Sequence, residues 1–194
     1  MDESSLGYNT DISLMSRETD SNSSVSTSFE SQCPISPNLK NHIISAIASN
    51  LKDIIEENQQ GGKNKYRLKD PIFYLEQIPP ISLEDYIRHL VKYTNMNISS
   101  LILSVIYIDQ FCEKFKYVLS LNNIYRLLLI CVFISLKYNE DAMVNAKLYA
   151  NIAGVSVDDL KILEYQMCAA LDFEFYVKSE YYQQYFVYFS KYSS

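Results

Sequence analysis

Ten residues near the middle of the chain, Leu127 to Leu136, are apolar except for Ser135, and the first eight are unbroken by any polar group. A bilayer span needs about 18 such residues, so the run reads as a buried core helix. A helix over 121–138 with so little polar surface is satisfied only in the middle of a bundle, with other helices wrapped over it. The chain has 194 residues, enough for one such core and too few for two ordinary domains.

The flanking sequence supplies the helices that this centre requires. Ser82 caps a helix running to about Thr94, with Asp85 completing a variant capping box and Ile81 placed to staple against Tyr86. Asn97 caps the next, whose apolar residues Ile98, Leu101, Ile102, Val105, Ile106, Ile108 and Phe111 cover most of its circumference. Beyond the central run, a short helix spans 145–153 and stops at Gly154, where a left-handed residue is expected. Ser156 and Asp159 open another that ends near Asp172. After the extended "FEFYV", Ser179 caps a last helix whose Tyr181, Tyr182, Tyr185, Phe186 and Phe189 pack back on the bundle.

Before this body, Leu39, Ile43, Ile44, Ile47, Leu51, Ile54 and Ile55 form one helical stripe. A basic linker with Gly61 and Gly62 separates that helix from the rest. The first residues are Ser/Thr/Asn/Asp-rich and bury too little to offset ordering entropy. The expected layout is a disordered acidic tail over 1–37, an amphipathic helix over 38–58, a linker over 59–79, an all-α body over 80–178 and a terminal helix over 179–194. Ser36-Pro37 reads either as a minimal proline-directed phosphorylation site or as a helix start.

Charge and chemistry exclude several classes. Of the formal charge of -6, the first 38 residues carry -5 and the rest only -1, with no basic block suited to nucleic acid. The opening Asp2, Glu3 and Ser4 resemble neither a signal n-region nor a transit peptide, so the nucleus or cytoplasm is the expected location. Cys33, Cys112, Cys131 and Cys168 lie far apart; the last three fall in apolar patterns and behave as small hydrophobes. His42 and His89 lack the i,i+4 partner of a zinc site, and no glycine-rich phosphate loop is present. No metal, cofactor, membrane or small-molecule substrate is expected, and a helical enzyme is the weakest reading.

Two charged residues sit oddly. Arg88 lies between Ile87 and Leu90, and Asp109 between Ile108 and Phe111, so each is expected near the core. Buried charges persist by pairing. An Arg88–Asp109 bridge is the economical solution; the alternative is two separate surface residues.

"YIRHLVKYT", "VIYIDQF", "NIYRLLLICVFISLKYNED" and "DLKILEYQMCAALDFEFYV" come in the order and spacing of a cyclin box. The chain resembles the cyclin family over about residues 80–178, most closely the P/U group that includes the fungal phosphate-response cyclins. The resemblance implies five helices around a central third helix, the arrangement already required by the apolar count, with a flanking helix at each end. It places the family's buried ion pair on Arg88 and Asp109. It also places the kinase-contacting lysine and glutamate on Lys137 and Glu164, with Tyr138, Cys168, Phe173 and Phe175 as adjacent contacts.

The implied function is activation of a cyclin-dependent protein kinase by binding its αC helix, with no catalysis by this chain. The alternative is a cyclin-fold transcription factor or scaffold that activates no kinase; its promoter-binding form would carry a basic face, which the slightly acidic body lacks. On position alone, Lys137 reads equally as a cation offsetting a helix dipole. The sequence departs from the family in ending the first box helix at Thr94, where many cell-cycle cyclins place a tryptophan for substrate docking. It also has Gln110 where arginine is usual, and holds a single box.

Overall fold

The computed structural model describes residues 36–61, 71–140 and 144–192. Residues 1–35 of the expected acidic tail and 62–70 of the expected linker lie outside these. Among the described residues seven helices form the body: α1 (Pro37–Gln60), α2 (Leu83–Thr94), α3 (Ile98–Phe115), α4 (Leu121–Asn139), α5 (Ala146–Ala153), α6 (Val157–Ala170) and α7 (Ser179–Lys191), with a 3-10 turn at Pro71–Phe73. Among the described residues there is no strand.

α4 is the centre. Every residue from Leu127 to Leu136 is buried, against α3, α6, α2 and the 3-10 turn. By length and composition α4 could also cross a membrane, but 72% of that stretch is buried inside the bundle. Ser135 is accommodated because its hydroxyl donates to Ser100 O of α3 at 2.7 Å, so this buried hydroxyl is paired.

α1 is part of the same core. Its stripe of Ile43, Ile44, Ile47, Leu51 and Ile55 is buried, and it packs on α2 and α7. Lys40 Nζ donates to Met96 O, Asn58 Nδ2 to Leu119 O and Asn50 Nδ2 to Tyr188 Oη. These ties answer the question of where the amphipathic helix docks. Ser36 caps α1 through Leu39 N–H, with Pro37 in its first turn.

The expected caps at Ser82 and Ser156 form, Asn145 caps α5 instead of lying inside it, and Gly154 has φ +73. Two others differ. Asn97 precedes α3 but makes no side-chain cap; Glu140, beyond the far end of α4, accepts from Asn97 N–H at 2.9 Å and Ser100 Oγ at 2.8 Å. A carboxylate at a helix N-terminus is the stronger acceptor, and it also meets the dipole. Ser179 is the first residue inside α7; the cap position falls on Lys178, which makes no side-chain bond.

Candidate functional site: the exposed end of the central helix

α4 emerges from the core in its last turn. Lys137, Tyr138 and Asn139 are exposed immediately after buried Leu136. Because α6 packs on α4, Lys137 Nζ meets Glu164 Oε1 at 2.5 Å across 27 residues of sequence. The ammonium also lies 5.3 Å from the Phe133 ring centroid, a favourable cation–π distance. With the lysine side chain 47% exposed, the pair adds little to stability.

Around this pair the chain assembles aromatic surface. Tyr138 packs its ring 5.6 Å from that of Phe175, which in turn sits edge-on to Tyr107. Tyr107 Oη donates to Phe175 O at 2.9 Å and accepts from Asn139 Nδ2 at 3.4 Å, fixing the segment after α6 to α3 and α4. Cys168, one turn beyond Glu164, is buried, and desolvation raises its thiol above the ordinary range, with Glu164 adding to the rise and Lys137 opposing it. Phe173 projects with 62% of its surface exposed. Lys137, Glu164, Tyr138, Cys168 and Phe175 thus belong to one end of the bundle, bordered by Phe173.

Tyr165 and Ile162 were missed in the sequence. They are exposed on α6, and Tyr165 stands at i,i+3 to both Ile162 and Cys168, on the flank of the same face. The signal was available: both fall off the buried Leu160–Leu163–Met167 stripe, where polar residues are the norm.

The Arg88–Asp109 bridge does not form. Arg88 bonds Glu84 one turn back, Nη2 to Oε1 at 2.6 Å, and reaches Ser45 Oγ and Asn41 Oδ1 on α1. The Arg88 and Ser45 hydrogen bonds hold Glu84 below the ordinary carboxylate range. Asp109 accepts instead from Tyr185 Oη of α7 at 2.6 Å. Burial raises the Asp109 pKa, Tyr185 opposes that rise and Glu113 adds to it. Arginine is long enough to turn toward the half-exposed α1–α2 seam, where a partner costs less desolvation than one inside the core.

Other chemistry is sparse. His89 Nε2 lies 2.9 Å from Ile152 O near the end of α5, and His42 is exposed. Among the described residues no group of three or more His, Cys, Asp and Glu side chains could hold a metal. Ile87, Leu90 and Val91 of α2 are buried.

A family model described as Cyclin matches residues 11–175, well over half of the chain. Cyclin-U2-1 of Arabidopsis thaliana is 27% identical over 149 residues, covering 74% of this chain and 65% of that protein. Cyclin-U1-1 of the same plant is 33% identical over 115 residues, covering 58% and 54%. Cyclin-P3-1 of Oryza sativa subsp. japonica is 25% identical over 139 residues, covering 71% and 59%. The chain therefore spans less than two thirds of the length of each. A helical bundle with α4 buried at its centre, the match to the family model and the kinship with U- and P-type proteins lead to one conclusion: this chain belongs to the cyclin family, in its P/U group.

Proposed function

We propose that this chain is the activating regulatory subunit of a cyclin-dependent protein kinase, and that the α4/α6 face binds the kinase αC helix. Cyclins are in general regulatory proteins without catalysis of their own. The observation that carries the reading is the Lys137–Glu164 pair, half-exposed and flanked by Tyr138, Phe173 and Phe175. It provides a donor and an acceptor on a rigid helical end, inside an apolar border that can exclude water, the make-up of an interface hot spot.

A protein kinase is active only when αC brings its glutamate to the strand lysine and the activation loop opens. A rigid surface that binds αC in this inward position favours the active state by its differential affinity for the two states. Lys137 and Glu164 satisfy polar groups of αC, while Tyr138, Cys168, Phe173 and Phe175 supply apolar contact.

The test is co-purification with the cyclin-dependent kinases of the same organism, followed by peptide phosphorylation. Wild type is expected to bind and activate one of them, and the Lys137→Ala, Glu164→Ala double variant to lose both. Because the exposed pair contributes less than about 1 kcal/mol to folding, the variant stays folded. A double variant that binds and activates as well as wild type refutes the assignment of this face.

A further inference from the structure

The turn after α6 has a backbone that its sequence does not favour. Two consecutive residues, Asp172 and Phe173, have φ +55 and φ +58. The first is the usual left-handed closure of a helix: Phe173 N–H bonds Cys168 O at 2.8 Å and Asp172 N–H bonds Ala169 O at 3.1 Å. Glycine is the common choice there, and aspartate is tolerated. The second is a bulky aromatic in the left-handed region, an uncommon conformation that persists only where its surroundings impose it. Burial of the ring is not the cause, since Phe173 is 62% exposed.

What imposes it comes from α3 and from the next residues. Lys114 Nζ donates to Ala170 O at 2.8 Å and to Asp172 Oδ2 at 2.5 Å, tying the last carbonyl of α6 and the turn's carboxylate to one ammonium. Two residues after Phe173, the Phe175 carbonyl is held by Tyr107. Phe173 is therefore fixed from both sides while its side chain stays outward. The ion pair itself is largely exposed and stabilises the fold little. Its effect is geometric.

We propose that Lys114 and Asp172 are positioning residues: they hold the turn in the left-handed backbone that presents Phe173 as a preformed apolar anchor for the partner kinase. This rests on the α4/α6 face being the kinase-binding face. Fixing the backbone that carries the ring before association lowers the ordering cost of binding.

The experiment measures affinity for the kinase that co-purifies with the chain, using variants whose folding is checked by circular dichroism. Phe173→Ala is expected to weaken binding about tenfold. Lys114→Ala weakens it by a similar factor, Lys114→Arg restores it, and the Lys114→Ala, Phe173→Ala combination binds no more weakly than Phe173→Ala alone. Asp172→Gly, which loses the carboxylate but favours the left-handed backbone, weakens binding less than β-branched Asp172→Val, which loses about tenfold. The proposal is overturned if Lys114→Ala binds normally while Phe173→Ala does not, if the two losses multiply, or if the glycine and valine variants behave alike. The Lys137→Ala, Glu164→Ala variant reports on the kinase-face reading by itself, so failure of that reading is seen separately. Should Lys114→Ala not fold, the two Asp172 variants decide.

Discussion

Replacing Tyr185 by phenylalanine removes one oxygen and leaves the ring in its buried seat between α3 and α1. The lost hydroxyl is the donor to Asp109 at 2.6 Å, and no other hydrogen bond to that carboxylate is seen among the described residues. A hydrogen bond to a charged group is worth about 1.5–3 kcal/mol, so Tyr185→Phe is expected to destabilise the fold by about 2 kcal/mol at neutral pH. For a chain of this size that is roughly 4–8 °C in Tm. The pH dependence makes the test specific. Burial raises the folded-state pKa of Asp109 above its ordinary value of 3.8, so the folded chain binds this proton more tightly than the unfolded one. The resulting stabilisation is full below the ordinary value and is lost as pH rises through the raised one. Tyr185→Phe removes the bond that opposes the rise and extends this decline to higher pH. Asp109→Asn abolishes the decline. Urea denaturation of the three proteins over a pH series measures all of this. An Asp109→Asn protein with the same pH profile as wild type, or a Tyr185→Phe protein of unchanged stability, refutes the account of this buried pair.

Other consequences follow from the core and the seams. Leu128→Ala, at a fully buried α4 position, is expected to cost about 2–5 kcal/mol by denaturant titration. Gly154→Ala meets no atom within 4 Å, so its cost is the left-handed backbone alone, about 1 kcal/mol, read as a small fall in Tm. Arg88→Ala breaks the bonds to Glu84, Ser45 and Asn41. Since these are half-exposed, about 1 kcal/mol or less is expected, against the loss of about 3 kcal/mol or more that a buried pair with Asp109 would have required.

The central helix was legible because an apolar run has one physical solution, and burial of Leu127 through Leu136 follows from it. Ser82 and Ser156 were legible as caps because the bonds involved are local, within three residues. Asn97 was misread for the opposite reason: the group that meets α3's first turn arrives from Glu140, 43 residues away, and no local pattern encodes it. Arg88 and Asp109 show the same limit. Periodicity places a residue near the core without fixing which helix it faces, and the partner of Asp109 was a tyrosine read only as a packing ring. Lys137 and Glu164 were named by family resemblance; their 27-residue separation by itself gave no reason to expect them at contact distance. Tyr165 and Ile162 stayed hidden because periodicity identifies the stripe that packs and assigns no role to an apolar residue on the opposite side.

The seam between α1 and α7 joins residues 138 and 139 positions apart, through Asn50 with Tyr188 and Asp53 with Tyr192. On a ribosome adding about 5–20 residues per second, α1 is made on the order of ten seconds before α7 exists to cover it. Throughout that interval one flank of its isoleucine stripe stays open, so the nascent chain is a natural client for chaperones. At high local concentration the same vacancy invites a neighbouring chain's α7, which makes exchange of terminal helices the characteristic misassembly of this fold.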